Sequence, residues 1–419
     1  MNPRTLAQKL VARAAGLAQV EAGEFVTCEV DLAMFHDSSG PRRLQPMLAE
    51  LGATLWDKTK VVLVIDHYVP EADEESRRIV RIARDWAAEQ ALPHVYDSLG
   101  ICHVVVPQHG HIRPGMFCVG GDSHSPTGGA FGAYMFGIGA TEMLGVVVTG
   151  QIWLQVPDTI FMQWHGRLAH GVSAKDMMLS MIGRFGMNGG RYQAVEFCGG
   201  AVAALGMQER MTLANMSAEL GAQVGLVAPD AITRAWLATT GAPDIDPAPW
   251  HSDADAPGER HDFDASALAP QVALPHSPAN AMAVTDLPRT PIQVAYLGAC
   301  TGAKLDDLRA AAQVLAGRRI ATGVQLLLAP ASVQDRQTAE REGVLGQLLA
   351  AGATLLPSAC GACAGYGGAI ADGSTVISST ARNFQGRMGS ATAQVYLGSP
   401  YTVAASALRG VISDARELL

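Results

Sequence analysis

Lys60-Val61-Val62-Leu63-Val64-Ile65-Asp66-His67 is a continuous apolar run that ends on an acid and an imidazole. A run without polar alternation fits a strand buried on both faces of a parallel sheet. Its C-terminal end is where the chain leaves the core, and Asp66 and His67 stand there. The same pattern recurs. Phe117-Cys118-Val119-Gly120 runs into Asp122-Ser123-His124, and apolar stretches at 292–297, 324–328 and 353–356 run into short loops. Helical periodicity fills much of the chain between, at 72–90, 174–183, 211–220, 304–315 and 333–349. Strand, polar loop and helix in alternation predict an α/β fold with a site at the strand ends.

Further elements are expected around this frame. Residues 1–20 read as an amphipathic first helix, 95–96 as a short strand, and 102–106 as another strand or extended segment. The stretch 242–280, rich in Pro, Asp and Ala, reads as a surface linker. Residues 406–418 read as a final helix. These elements divide the chain into three α/β domains, 1–125, 126–280 and 281–419.

Composition narrows the classes. The 419 residues are 48% hydrophobic and 16% charged, which describes a well-buried enzyme of more than one domain. A net charge of −9 argues against nucleic acid, because binding phosphates needs a basic face. Seven scattered cysteines are no disulfide framework, so a reducing, cytoplasmic setting is expected. The N-terminus has no apolar signal region. From 127 to 156 the only charge is Glu142, but repeated glycines break the run. It reads as a buried glycine-rich turn and a core helix, with no membrane span.

Cys300, Cys360 and Cys363 carry the most chemistry. They sit in Gly298-Ala299-Cys300-Thr301-Gly302 and Ser358-Ala359-Cys360-Gly361-Ala362-Cys363-Ala364-Gly365. By spacing alone the CxxC fits a zinc half-site, a redox pair, packed small residues or an iron–sulfur centre. No second CxxC or HxxxH stands nearby to complete a zinc site. Three thiolates on a cubane cluster leave one iron without a protein ligand, free to act as a Lewis acid.

Four histidines sit beside acids or in short polar contexts: His36-Asp37, Asp66-His67, His103 and His124. A carboxylate next to an imidazole fixes its tautomer and tunes it for proton transfer. Arg382 and Arg387, around Gly386, are spaced to fork onto carboxylates. Gly128-Gly129-Ala130-Phe131-Gly132 lacks the spacing of a dinucleotide loop.

Taken in order, these motifs resemble the aconitase superfamily, in particular large subunits of the 3-isopropylmalate dehydratase and homoaconitase type. The resemblance runs from Glu29 to Asp37 through Asp66-His67, Gly100-Ile101-Cys102-His103 and Gly121-Asp122-Ser123-His124. It continues through Asn215-Met216-Ser217-Ala218-Glu219, Pro275-His276-Ser277-Pro278, the three cysteines and the run Arg382 to Arg387.

The resemblance implies a three-domain body of parallel or mixed sheets and helices around a central 4Fe–4S cluster with one iron lacking a protein ligand. Cys300, Cys360 and Cys363 match its ligands. Asp66 with His67, Asp122 with His103, and Glu219 with His124 match catalytic acid–imidazole pairs, with His67 the acid that protonates the departing hydroxyl. His36, Ser123, Asn215, Arg382 and Arg387 match positions that contact substrate or cluster. The implied activity is reversible dehydration of a 2- or 3-hydroxy di- or tricarboxylic acid. Homoaconitate, citramalate and dimethylmalate are alternative substrates, and a non-catalytic iron sensor is an alternative role.

The swivelling fourth domain of full-length relatives, which brings a serine base and a further arginine, is not found before Leu419. A small subunit is therefore expected to supply it, in a heterodimer or heterotetramer, docking near the glycine-rich region 361–368. Two departures stand out. The family's Ser-Cys-Thr-Asn is Ala299-Cys300-Thr301-Gly302 here, and its Asn before the first arginine is Ala381.

Overall fold

The computed structural model describes residues 2–366 and 370–419. Three large sheets succeed one another along the chain. The first has five strands, all parallel, in the spatial order Val95–Asp97, Val61–Ile65, Leu32–His36, Phe117–Gly120, Tyr134–Gly137. In chain order this is 3-2-1-4-5. The winding reverses between Leu32–His36 and Phe117–Gly120, and the loops leaving those strands part to form a crevice.

The third sheet repeats that order. Its parallel strands run Ala353–Leu355, Gln325–Ala329, Val294–Gly298, Thr375–Ser378, Gln394–Gly398, again 3-2-1-4-5. Two short antiparallel strands, Gln271–Ala273 and Ala281–Ala283, extend its edge. Between them lies a four-stranded parallel sheet of Thr159–His165, Ala194–Cys198, Val224–Val227 and Glu259–Asp264. The first sheet thus runs on past residue 125, and the third begins before 281.

Local chemistry explains the elements. All five residues of Val61–Ile65 are buried, as their unbroken apolar character requires. The helix Glu74–Gln90 opens on Asp73, whose carboxylate accepts from the Ser76 N–H at 2.7 Å, and two glutamates occupy its first turn. Its apolar stripe puts Ile79, Val80, Ala83 and Trp86 into the core.

Four expectations change. Residues 102–106 are not extended but open a helix, Cys102–Gln108. Every residue of it is buried, so its apolar run has no alternation with which to separate a strand from a buried helix. Asp66 Oδ2 accepts the Cys102 N–H at 2.7 Å, a cap that comes from another strand end and is invisible locally. The supposed linker contains Glu259–Asp264, an edge strand whose charged sequence hides its pairing with Thr159–His165. The helix expected at 333–349 is two helices, Val333–Arg341 and Val344–Ala351, parted at Gly343 with φ 76°. The final helix is Pro400–Arg409, ended by Gly410 at φ 72°, and only a short 3-10 turn, Ala415–Glu417, follows.

The turn Ser125–Phe131 seats the first sheet on the second. A Cβ on Gly129 would stand 1.8 Å from the Gly225 carbonyl oxygen, inside the strand Val224–Val227. Backbone of a buried strand cannot give way as a side-chain tip can. Gly129→Ala should therefore lower the unfolding free energy in urea by about 1–3 kcal/mol. Gly145→Ala, where nothing lies within 4 Å of the new Cβ, should be neutral or stabilising in the same measurement.

Candidate active site

Both switch points open onto one cavity of about 400 Å³. From the first sheet come His36, the last residue of Leu32–His36, Asp66 and His67 after Val61–Ile65, and Asp122 to His124 after Phe117–Gly120. From the third come Cys300 after Val294–Gly298, Cys360 and Cys363 after Ala353–Leu355, and Arg382 and Arg387 after Thr375–Ser378. The second sheet contributes through the helix Met207–Met216, which brings Asn215 and, just beyond, Glu219.

The acid–imidazole pairs are close. His67 Nδ1 donates to Asp66 Oδ1 at 2.7 Å. His103 Nε2 meets Asp122 Oδ1 at 2.7 Å, and His124 Nε2 meets Glu219 Oε1 at 2.9 Å. Arg382 Nε donates to the same Glu219 oxygen at 2.6 Å. The His36 ring stacks on His67 with centroids 3.7 Å apart, and the two Nε2 atoms lie 3.5 and 3.8 Å from Asp122 Oδ2. Asp122 is thus the hub of the cluster. One oxygen faces His103 and the His124 backbone N–H, and the other faces His36 and His67.

Electrostatics follow from this wiring. Burial by itself pushes the His67 imidazolium down, but the charge and hydrogen bond of Asp66, joined by the charges of Asp122 and Asp37, together outweigh it and lift His67 to about 9. His124 also reaches about 9, with burial opposed by Glu219. His103 goes the other way, because burial outweighs Asp122. Burial raises the carboxyls of Asp66, Asp122 and Glu219, yet the facing imidazoles hold all three below the usual range, Asp122 furthest. Two protonated imidazoles therefore stand at neutral pH beside ionised acids.

Every residue singled out from sequence lies in or against this cavity. Ser123 is exposed on its wall, and Asn215 is fully buried behind it. Two groups take roles beyond those read from sequence: Asp37, noted there only as the neighbour of His36, and several residues that sequence reasoning missed. Asp37, fully buried, accepts the His67 N–H at 3.0 Å and the Tyr68 N–H at 2.8 Å, and so sets the loop that aims His67. Arg43, in the helix Pro41–Leu51, gives the wall a third guanidinium, while Ile138 and Met143 give it an apolar side. The nearness of Arg43 to His36-Asp37 was the one signal in the sequence. Tyr366 lines the rim and sits over Tyr68 at 4.7 Å. The rest of the glycine-rich stretch beyond it, 367–369, lies outside the described residues.

The three thiols fit a metal–sulfur group. All are free and all line the one cavity. Cys360 donates to Cys363 and, with Arg387, favours the Cys363 thiolate. Burial pushes the Cys300 thiol up to about 12, and Asn215 Nδ2, which donates to its Sγ at 3.3 Å, pulls the other way toward the thiolate a metal would bind. Among the described residues the buried Arg387 Nε has no partner, as for a guanidinium built to receive an anion. Cys360 N–H also donates to the Asp66 carbonyl at 3.0 Å, which ties the thiol loop to the first sheet.

The departures from the family pattern have local reasons. A Cβ on Gly302 would come within 2.2 Å of Ser379 Cβ, so Ser379 occupies the space an asparagine would need. Ser379 Oγ instead accepts the Gly298 N–H at 2.9 Å and lies 3.2 Å from the Gly302 carbonyl. Ala381 is 2% exposed and packs into the apolar core of the second sheet. Ala299 holds φ 70°, the left-handed turn that precedes Cys300.

Comparison with known proteins agrees with this geometry. The model of the aconitase family (aconitate hydratase) matches residues 8–410. The 3-isopropylmalate dehydratase large subunit 1 of Methanopyrus kandleri is 40% identical over 424 residues, covering 99% of this chain and 100% of its own. The 3-isopropylmalate dehydratase large subunit of Moorella thermoacetica is 39% identical and covers 99% of both chains. A probable methanogen homoaconitase large subunit of Methanothermobacter thermautotrophicus is 39% identical over 99% of this chain and 98% of its own. Among solved structures, the holo-form of Thermococcus kodakaraensis aconitase X shares the fold with a TM-score of 0.50 at 11% identity, over 87% of this chain and 88% of that one. Among the described residues no helix is long and apolar enough to cross a membrane.

The Asp66–His67 pair makes a pH-dependent prediction. Its folded imidazolium titrates near 9 against 6.5 for the free side chain. A raised folded value stabilises fully below pH 6.5, and that contribution is lost as pH rises through about 9. Asp66→Asn removes the largest charge opposing burial and leaves Asp122 and Asp37, so the His67 midpoint, read by histidine NMR of the apoprotein, should fall well below 9. The gap in unfolding free energy between wild type and Asp66→Asn should narrow across that same window.

Proposed function

This chain belongs to the aconitase family, and we propose that it works as the large, iron–sulfur subunit of a hydro-lyase of the 3-isopropylmalate dehydratase type. The observation that carries the reading is the meeting, in one cavity, of three free thiols, three acid–imidazole pairs and three arginines. Reversible dehydration needs a way to loosen a hydroxyl, a proton for it, and cations for the carboxylates. Three α/β units, one for each large sheet, frame the site.

Cys300, Cys360 and Cys363 would hold a 4Fe–4S cluster whose fourth iron has no protein ligand. Bound there, the cluster supplies a Lewis acid that polarises the substrate hydroxyl. The remaining work falls to side chains. His67, kept protonated by Asp66, gives its proton to the departing hydroxyl, and Asp37 fixes the loop that aims it. Arg382 and Arg387 take substrate carboxylates and offset the charge that builds as the carbon loses its proton. Glu219 orients Arg382 and His124 at once. His36, held flat against His67, keeps that ring from turning.

The apolar side of the cavity, Ile138 and Met143, suits an alkyl-substituted malate. Arg43 favours a second reading, a third carboxylate as in homoaconitate, and the homoaconitase relative points the same way. The relatives are named large subunits, so a small subunit is the expected partner. It closes the cavity and brings the base that takes the carbon-bound proton, as the resemblance implies.

Two experiments test this reading. Anaerobically reconstituted wild-type chain should carry iron and sulfide with the spectrum of a 4Fe–4S centre, and Cys360→Ser should lose most of both. Full metal and sulfide content in Cys360→Ser would sink the ligand assignment. Mixed with its small subunit, the wild-type chain should dehydrate 3-isopropylmalate, and His67→Ala should cut turnover by about 10²–10⁴-fold with KM little changed. An unchanged turnover number would remove His67 from the chemistry.

A further inference from the structure

Lys175 is the second residue of the helix Ala174–Phe185 and is 1% exposed. Its Nζ donates to the Ser379 carbonyl at 2.6 Å, to the Thr380 carbonyl, and to Thr301 Oγ1 at 3.3 Å. The Thr301 hydroxyl spends its own proton on the Ser379 carbonyl at 3.0 Å, so it meets the lysine as an acceptor. Three acceptors demand three N–H donors. A neutral amine has two, so the group is an ammonium.

Among the described residues no carboxylate lies within 4.0 Å of that ammonium. Lys304, the other fully buried lysine, differs. It bonds the Cys300 carbonyl and Thr212 Oγ1, both at 3.0 Å, and pairs with Asp307 at 2.8 Å. On its outer side Lys175 borders a cavity of about 500 Å³ whose acids are Glu209, Asp306 and Asp307, none of them paired with it. Glu219 and Asp307 favour the ammonium from a distance, but Glu219 is already bonded to His124 and Arg382, and Asp307 to Lys304. A buried cation with no carboxylate in contact is costly, and such charges persist where a further anion offsets them.

The place of Lys175 names that anion. Thr301 follows Cys300 directly. Ser379 and Thr380 begin the loop to Arg382, and Thr380 Oγ1 donates to the Arg382 carbonyl at 3.3 Å. The ammonium therefore stands behind the switch point of the third sheet, between the loop that carries a thiol and the loop that carries a guanidinium. It comes from the second sheet's helix, so it also clamps those loops to a different layer.

We propose that Lys175 is a positioning and charge-balancing residue, which pins the Cys300 and Arg382 loops together and offsets the negative charge of the thiolate-bound cluster. This rests on the reading that the three cysteines hold an iron–sulfur centre. The potential and persistence of such a centre depend on the net charge around it. A fixed cation favours the more reduced, more negative state and holds the anionic site together. Lys304, already neutralised by Asp307, contributes little to that balance.

The test compares anaerobically reconstituted wild type, Lys175→Gln and the paired control Lys304→Met/Asp307→Asn. The cluster's midpoint potential is followed by electron paramagnetic resonance, iron release to a chelator is timed, and apoprotein folding is checked by circular dichroism. Glutamine keeps an amide with two N–H donors and removes the charge, on a side chain one bond shorter. Lys175→Gln should shift the potential to more negative values and release iron about ten-fold faster or more, while the control moves much less. Lys175→Arg, which restores the charge, should return both readouts toward wild type.

A folded Lys175→Gln with wild-type potential and iron release overturns the inference and leaves the cluster reading intact. A wild-type chain that takes up no cluster overturns the cluster reading and this inference with it. If the neutral variant fails to fold, a folded Lys175→Arg still supports charge over shape, and the failure of both assigns Lys175 to packing alone.

Discussion

Parallel strands release their loops at one edge of a sheet, and where the winding reverses those loops part. This chain uses that constraint twice. The first and third sheets share the order 3-2-1-4-5, and the crevice of each opens onto the same cavity. One crevice is furnished with acids and imidazoles, the other with thiols and arginines. Neither is a site by itself. The chemistry depends on keeping two strand-end crevices face to face, and much of the buried polar bonding serves that purpose.

The bonds that do so cross between layers. Asp66 illustrates the economy. One carboxylate oxygen holds His67, the other caps the helix Cys102–Gln108 that presents His103, and its carbonyl takes the Cys360 N–H. Asn215, from the second sheet's helix, reaches Thr127 at 2.8 Å on one side and Cys300 on the other. Removing one partner of a buried ion pair commonly costs about 3–5 kcal/mol. These groups are thus structural and catalytic at once, and a variant's loss of activity has to be read beside its stability.

Charge is the second theme. The chain is acidic as a whole, yet the cavity gathers three arginines, and two of its imidazoles are held protonated. Three of these cations lean on fixed acids, His67 on Asp66, and His124 and Arg382 on Glu219. Such preorganised, largely buried charge suits substrates that bear several carboxylates. The replacements around Cys300 and Arg382 do not erode it. At Gly302 and Ala381 small residues leave room for Ser379 and for the apolar core.

Much of this was legible in the order of residues. An apolar run that ends on Asp66-His67 reads as a buried strand with its polar residues at the exit, and the cysteine spacing with the Arg-Asn-Phe run pointed to one family. Those are local signals, written in consecutive residues. The helix Cys102–Gln108 was not legible, because an all-buried run has no polar face and its cap comes from Asp66, far off in the chain. The strand Glu259–Asp264 hid behind its charges, since an edge strand needs only one partner. Arg43 and Lys175 carry no motif of their own, and Asp37 was legible only as the neighbour of His36. Their roles exist only once separate strand ends are folded against one another, because the partners of a buried charge are chosen by packing in space and not by neighbours in sequence.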